Sequence, residues 1–238
     1  AGFKQLSALN LFAGGGLGLL YEASNLSTLF QDGAGSTPVT AAGQSVNLTL
    51  DLTSGENNST QPNTSFQSKY QTGPDRKVYD GIDDRDITTL SPTASGTIAV
   101  RMFGTAGSTI ALGSQSSFGA SPSRCYIALA SDGSLGGGIG NDATSTIKGS
   151  NDLRNTWVTG IITWNGSTVK LYENGTEVYS AAQDGAVNTN IPMFVGGLSI
   201  SGSAAAFWTG SLARDLVINR ALTPAEVTDL STLWSTIS

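Results

Sequence analysis

No histidine occurs anywhere in the 238 residues, and that decides much of the chemistry open to this chain. Ser-His-Asp and Cys-His nucleophiles are excluded, and so are zinc or iron sites built on imidazole ligands. A single cysteine, Cys125, cannot form an internal disulfide or a cysteine cluster. Its apolar neighbours Tyr126-Ile127-Ala128-Leu129 mark it as a buried, inert thiol. Carboxylates and aromatic rings remain. Asp80, Asp83, Asp84 and Asp86 form the densest acid cluster. Hard cations take carboxylate and carbonyl oxygens, so Asp80, Asp83 and Asp84 are candidate ligands for calcium, the one cofactor considered. EF-hand spacing is absent, and the preferred reading is a turn opening a strand, its aspartates accepting backbone N–H groups. Trp157, Tyr172, Tyr179 and Trp208 are the candidates for a glycan- or partner-binding surface, because rings on a polar sheet face offer an apolar body with a polar handle. Gly14-Gly15-Gly16-Leu17-Gly18 lacks the Lys-Ser/Thr of a phosphate-binding loop and reads as a flexible joint.

The surroundings of these residues are unusual in composition. Charged residues make up only 13%, whereas glycine, serine and threonine together occupy 87 of the 238 positions. Lys, Arg and Glu favour helices, while Thr and aromatics favour pleated sheets and Gly and Ser favour turns, so an all-helical chain is excluded. Twelve basic against eighteen acidic residues, with no basic run, excludes a phosphate-neutralising face for nucleic acid. No apolar stretch is long enough to cross a membrane. A hydrophobic share of 39% supports a real core.

Several elements must position the candidates. Trp157 to Ser180 alternates with period two around Asn165-Gly166 and Asn174-Gly175, which predicts a three-stranded meander. Two-residue turns would set Ile162 opposite Val169 and Leu171 opposite Val178. One face would then carry Val158, Ile162, Trp164, Val169, Leu171 and Val178, and the other Thr159, Thr163, Thr168, Lys170, Tyr172, Glu177 and Tyr179. An apolar and a polar face are what one sheet of a sandwich requires. Gly136-Gly137-Gly138 allows close packing or a bulge within a strand. Thr223-Pro224-Ala225-Glu226 is a capped helix start, followed by Val227, Leu230 and Leu233 or Trp234 at helical spacing. Residues 1–66 differ, with a polar stretch from Thr53 to Asn63, and read as an extended N-terminal attachment segment that does not fold by itself.

Four pieces in order carry a resemblance. Val78-Tyr79-Asp80-Gly81-Ile82-Asp83-Asp84 is similar to the opening strand of laminin G-like, concanavalin A-like domains. Lys170-Leu171-Tyr172-Glu173-Asn174-Gly175-Thr176-Glu177-Val178 is similar to their central hairpin, and Phe194-Val195-Gly196-Gly197 to the strand after it. Phe207 to Ile218, running into Asn219-Arg220-Ala221-Leu222-Thr223-Pro224-Ala225-Glu226-Val227, is similar to their last strand and terminal helix. The resemblance implies an all-β fold, an antiparallel jelly-roll β-sandwich over residues 67–238 with a short C-terminal helix. Glucanases of this superfamily alternate acids on one strand as Glu-x-Asp-x-x-Glu, and no such string occurs here. Glu173 and Glu177 flank one turn with different pairing partners, so no carboxylate pair spans a glycosidic bond. The chain is expected to be no enzyme.

Leu19-Leu20-Tyr21-Glu22-Ala23-Ser24-Asn25-Leu26-Ser27-Thr28-Leu29-Phe30-Gln31-Asp32, continued by Pro38-Val39-Thr40 and Gly43-Gln44-Ser45-Val46, resembles a segment of bacteriophage and prophage virion proteins. That resemblance, over roughly residues 17–51, implies a non-enzymatic virion structural protein of tail, head fibre or capsid decoration. It would be assembled in the bacterial host cytoplasm as a homo-oligomer with other particle proteins as partners. The alternative is a carbohydrate-binding adhesin recognising a glycan of the host cell surface.

Overall fold

The strand signals resolve into two facing sheets. The computed structural model describes residues 8–13, 16–117, 123–141, 147–187 and 189–236. Short strands come first: β1 (Gly18–Glu22), β2 (Leu29–Phe30), β3 (Leu48–Thr49), β4 (Ser59–Thr60), β5 (Lys69–Gln71), β6 (Arg76–Asp80) and β7 (Asp86–Ile87). Longer ones follow: β8 (Gly96–Gly104), β9 (Thr109–Gln115), β10 (Arg124–Leu129), β11 (Leu135–Gly140), β12 (Trp157–Trp164), β13 (Thr168–Glu173) and β14 (Thr176–Ala182). After them come β15 (Phe194–Val195), β16 (Leu198–Ile200), β17 (Ser203–Ala205), β18 (Thr209–Ile218) and the helix α1 (Pro224–Ser235).

One sheet runs β14-β13-β12-β8-β18-β6-β5, and β1 also pairs with β18. The other runs β11-β10-β9-β15-β7-β4-β3-β2, with the β16–β17 hairpin attached along β9. Ile98, Val100, Met102, Leu112, Ile127, Ile162, Trp164, Leu171 and Trp208 pack between them. The architecture is the all-β sandwich with a short C-terminal helix. Residues 18–66 are not an extended appendage: β1 joins one sheet and β2, β3 and β4 the other. Leu19, Leu20 and Tyr21 are at most 1% exposed, because β18 offers a free edge that β1 completes with five residue pairs. Of the glycine run read as a joint, Gly14 and Gly15 lie outside the described residues.

The meander forms with a different register. Ile162 pairs with Leu171 and Trp164 with Val169, so the first turn spans four residues rather than two. Asn165 Oδ1 accepts from the N–H groups of Ser167 and Thr168, which holds the wider loop. A shift of two leaves every side chain on its expected face. Beyond the Asn174-Gly175 turn, a bulge between Leu171 and Tyr172 sets Leu171 opposite Tyr179, so Tyr179 packs toward the inter-sheet core. The face expected to be polar is itself covered. Ile161 and Tyr172 on it join Ala99, Leu216 and Ile218 beneath Val227, Leu230 and Trp234 of α1. Thr223 accepts from Glu226 N–H, and the Glu226 carboxylate accepts from Thr223 N–H, closing the capping box that starts this helix.

Candidate functional site

The outward face of β9 and β10 carries an open recess. Alternation sends Cys125, Ile127 and Leu129 inward and leaves Tyr126 and Ala128 outside. A bulge opposite Ile127 and Ala128 lets both Ala111 and Leu112 point inward while Ile110 joins the outer cluster. The β16–β17 hairpin walls this floor with Leu198, Ile200 and Ala205. Beside this cluster lies an open cleft of about 370 Å³, rimmed by Ser108, Thr109, Ser131 and Lys148. A Cβ added at Gly138 would come within 2.5 Å of the Tyr126 ring, so the glycine run of β11 makes room for that ring. Lys148 Nζ donates to Asp132 Oδ2 at 2.6 Å, and Ser134 Oγ to Asp132 Oδ1 at 2.6 Å. The hydrogen bonds from Lys148 and Ser134 hold the Asp132 carboxyl well below the usual carboxylate range. An ammonium and hydroxyls around an apolar floor suit a polyhydroxylated ligand. No signal in the sequence marked this cleft, because Tyr126 sits in an unbroken apolar run.

The four aromatics expected to form a surface are not brought together. Trp208 is fully buried between the sheets, and Tyr172 lies 2% exposed under α1, facing a small cleft of about 120 Å³ beside Lys170 and Pro224. Tyr179 packs partly buried on the opposite side of the same sheet. Trp157 is half-buried, its ring 5.6 Å from that of Phe103 and 5.6 Å from the Arg101 guanidinium. For Tyr172 the cause is the covering helix, which turns the presumed outer face into a second core, whereas Trp208 and Tyr179 face the core between the sheets. Lys170 and Glu177 pair at 2.8 Å on the exposed part of that sheet.

Asp80, Asp83 and Asp84 do converge, with one carboxylate oxygen of each within 4.8 Å of the others. Their oxygens serve the turn after β6: Asp80 Oδ1 accepts from Ile82 N–H at 2.8 Å, and Asp84 Oδ2 from Asp80 N–H at 3.1 Å. Gly81 takes a left-handed φ of 80° there, which fits the turn reading. Asp86 leaves the cluster altogether and points into the core. Burial, and next the neighbouring Asp80 charge, push the Asp84 carboxyl up to about 7. A carboxyl raised in the fold above its unfolded value stabilises fully below the unfolded value, and that contribution is lost as pH rises toward about 7. Wild-type stability is therefore expected to fall between acidic and neutral pH more steeply than that of Asp84→Asn. Thermal melts across that range check this, and identical slopes would refute it.

Residues 79–228 match the family model described as the concanavalin A-like lectin/glucanases superfamily. No curated protein sequence matches the chain. Among solved structures, domain 4 of AbnA, a GH43 extracellular arabinanase from Geobacillus stearothermophilus, in complex with arabinotriose, is 17% identical, with a TM-score of 0.53 over 91% of this chain and 98% of that one. The CBM40 of the Ruminococcus gnavus IT-sialidase bound to alpha2,3 sialyllactose is 18% identical, with a TM-score of 0.47 over 59% and 83%. A native heptameric SAP-like pentraxin from Limulus polyphemus is 18% identical, with a TM-score of 0.48 over 62% and 74%. Among the described residues, no helix is long and apolar enough to cross a membrane.

Proposed function

The chain belongs to the concanavalin A-like lectin/glucanases superfamily, and on that basis we propose that it is a non-catalytic carbohydrate-binding module whose ligand seats in the β9–β10 cleft. The cleft itself carries this reading. Its floor of Ile110, Tyr126 and Ala128 is largely covered, at 8%, 5% and 1% exposed, so recognition falls mainly on Lys148 and the rim hydroxyls, which offer donors and acceptors to the hydroxyls of a sugar. The arabinanase domain, solved with arabinotriose, supports the ligand class as a fold precedent. The non-catalytic part rests on the carboxylates: Glu173 and Glu177 flank one turn, and Glu173 accepts from Asn151 on the meander side rather than facing the cleft.

A glycan array with the purified chain tests this reading. Lys148→Ala and Ser131→Trp alter the exposed rim without touching the core, and each is expected to weaken glycan binding at least about tenfold with an unchanged melting temperature. Unaltered binding in both variants, or no glycan bound at all, would overturn it. Trp208→Ala is no test of binding, because Trp208 lies wholly inside the fold.

A second reading sets the module in a bacteriophage virion, as a tail, head-fibre or decoration protein, homo-oligomeric and in contact with other particle proteins. The observation favouring it is the resemblance of residues 17–51 to virion segments. Proteomics of purified particles tests it: the chain should co-purify with virions at a fixed stoichiometry.

A further inference from the structure

Two ionisable side chains meet between the sheets, where the rest of the interior is mostly hydrocarbon, and a third is buried near enough to feel both charges. Lys77 on β6, Asp86 on β7 and Asp215 on β18 are each at most 2% exposed. Lys77 Nζ lies 2.6 Å from Asp86 Oδ2, and Tyr79 OH donates to the same oxygen at 2.9 Å. The Tyr21 ring stands 5.5 Å from the Lys77 nitrogen and the Tyr79 ring 6.0 Å, so aromatic faces screen the pair from water. Asp215 pairs directly with Tyr21 across the β1–β18 ladder, and its Oδ1 is buried with no hydrogen-bond partner among the described residues.

Two opposite charges in a dry interior lose their hydration, and their mutual attraction repays that loss only in part. A neutral amide joining the same two side chains removes both charges. It also releases water, whose exclusion from the site opposes the reverse reaction. We propose that Lys77 Nζ and Asp86 Cγ condense into an intramolecular isopeptide bond, with Asp215 relaying protons, so that the two sheets become covalently joined. A proton passes from Nζ to Asp86 Oδ2, leaving a neutral amine against a carboxylic acid. The nitrogen lone pair attacks Cγ, while the Asp215 carboxyl gives its proton to Asp86 Oδ1. The remaining surplus proton on nitrogen passes through Asp215 to the Oδ2 hydroxyl, the Cγ–Oδ2 bond breaks, and one water leaves. Oδ1 returns its proton to Asp215 as the carbonyl re-forms. The products are one secondary amide, one water and a regenerated Asp215 carboxyl, with no oxidant or cofactor consumed. Burial pushes the Asp215 carboxyl up to about 7 against the pull of Lys77, with Asp86 adding to the rise, which keeps a transferable proton on it below neutrality.

Intact-mass spectrometry of the denatured full chain tests the bond. The expected mass is one water, about 18 Da, below that of the sequence. Fragmentation of its tryptic peptides should place the link at Lys77 and Asp86, with no cleavage after Lys77. Lys77→Met should show the full mass. Asp215→Asn, close to isosteric, should reduce the linked fraction at least about tenfold. A wild-type mass equal to the sequence mass overturns the proposal. So does a deficit that persists in Lys77→Met, as a succinimide at Asp80-Gly81 would, and complete linkage in Asp215→Asn removes Asp215 from the mechanism.

Discussion

Asp86→Ala is expected to lower the unfolding free energy by about 3–5 kcal/mol, the cost of removing one partner from a buried ion pair. Lys77 would be left with its ammonium among Tyr21 and Tyr79, its direct hydrogen-bond acceptor gone and only the Asp215 carboxyl nearby. Tyr79 OH would lose its acceptor as well. A domain stability is commonly about 5–15 kcal/mol, so a loss of this size takes a large part of the whole. Chemical denaturation of the single variant measures it, and a change under about 1 kcal/mol would mean that water reaches Lys77 in the fold. The double variant Lys77→Met with Asp86→Leu replaces the charges with apolar volume and should recover most of an ion pair's loss. If the two residues are covalently joined, that recovery falls short by the stabilisation the cross-link gave.

The second large effect concerns the beginning of the fold. A chain lacking residues 1–24 is expected not to fold, although the deleted stretch lies wholly outside the family match at residues 79–228. Removing β1 takes away Leu19, Leu20 and Tyr21, of which Leu19 and Tyr21 belong to the core between the sheets and Leu20 to the core beneath α1. Each is a fully buried large side chain whose burial contributes about 1.5–3 kcal/mol. The deletion also unpairs the outer edge of β18 from Arg214 to Ile218 and exposes a long apolar strand to aggregation. Soluble yield and far-UV circular dichroism of residues 25–238 decide the matter. A soluble fragment that melts cooperatively near the parent temperature would show that β1 is dispensable.

The meander and the terminal helix were legible because each is encoded locally. Period-two runs around Asn-Gly pairs specify strands, and Thr223, Pro224 and Glu226 specify a helix start, whatever the rest of the chain does. The register near Asn165 was not legible, because an Asn-Gly pair serves a two-residue turn and a wider loop equally well. Only the Asn165 side chain, caught by two N–H groups, distinguishes them. The aromatic surface failed for a longer-range reason. Whether Tyr172 meets water depends on where α1 docks, and the sequence of β13 holds no trace of that. Lys77 shows the same limit from the other side. In Arg76-Lys77-Val78-Tyr79-Asp80 the lysine alternates with Val78 as a surface residue would, yet Lys77 and Tyr79 are the inward pair. Its acceptor Asp86 comes from the opposite sheet, and grouping Asp86 with Asp80, Asp83 and Asp84 by proximity in sequence hid that partnership.

The pairing of β1 with β18 has a mechanical side. Gly18 lies directly opposite Ile218, so the chain enters and leaves the sandwich at neighbouring points of one ladder. Tension between those two points loads the antiparallel hydrogen bonds one after another, as a zipper, instead of shearing all of them together. The β1–β18 seam should therefore yield first and at low force, and β8, β12 and β13 should lose their pairing only after it. In a tethered setting this module would open from its first strand, and the peeling of that strand would commit the rest of the sandwich to unfolding.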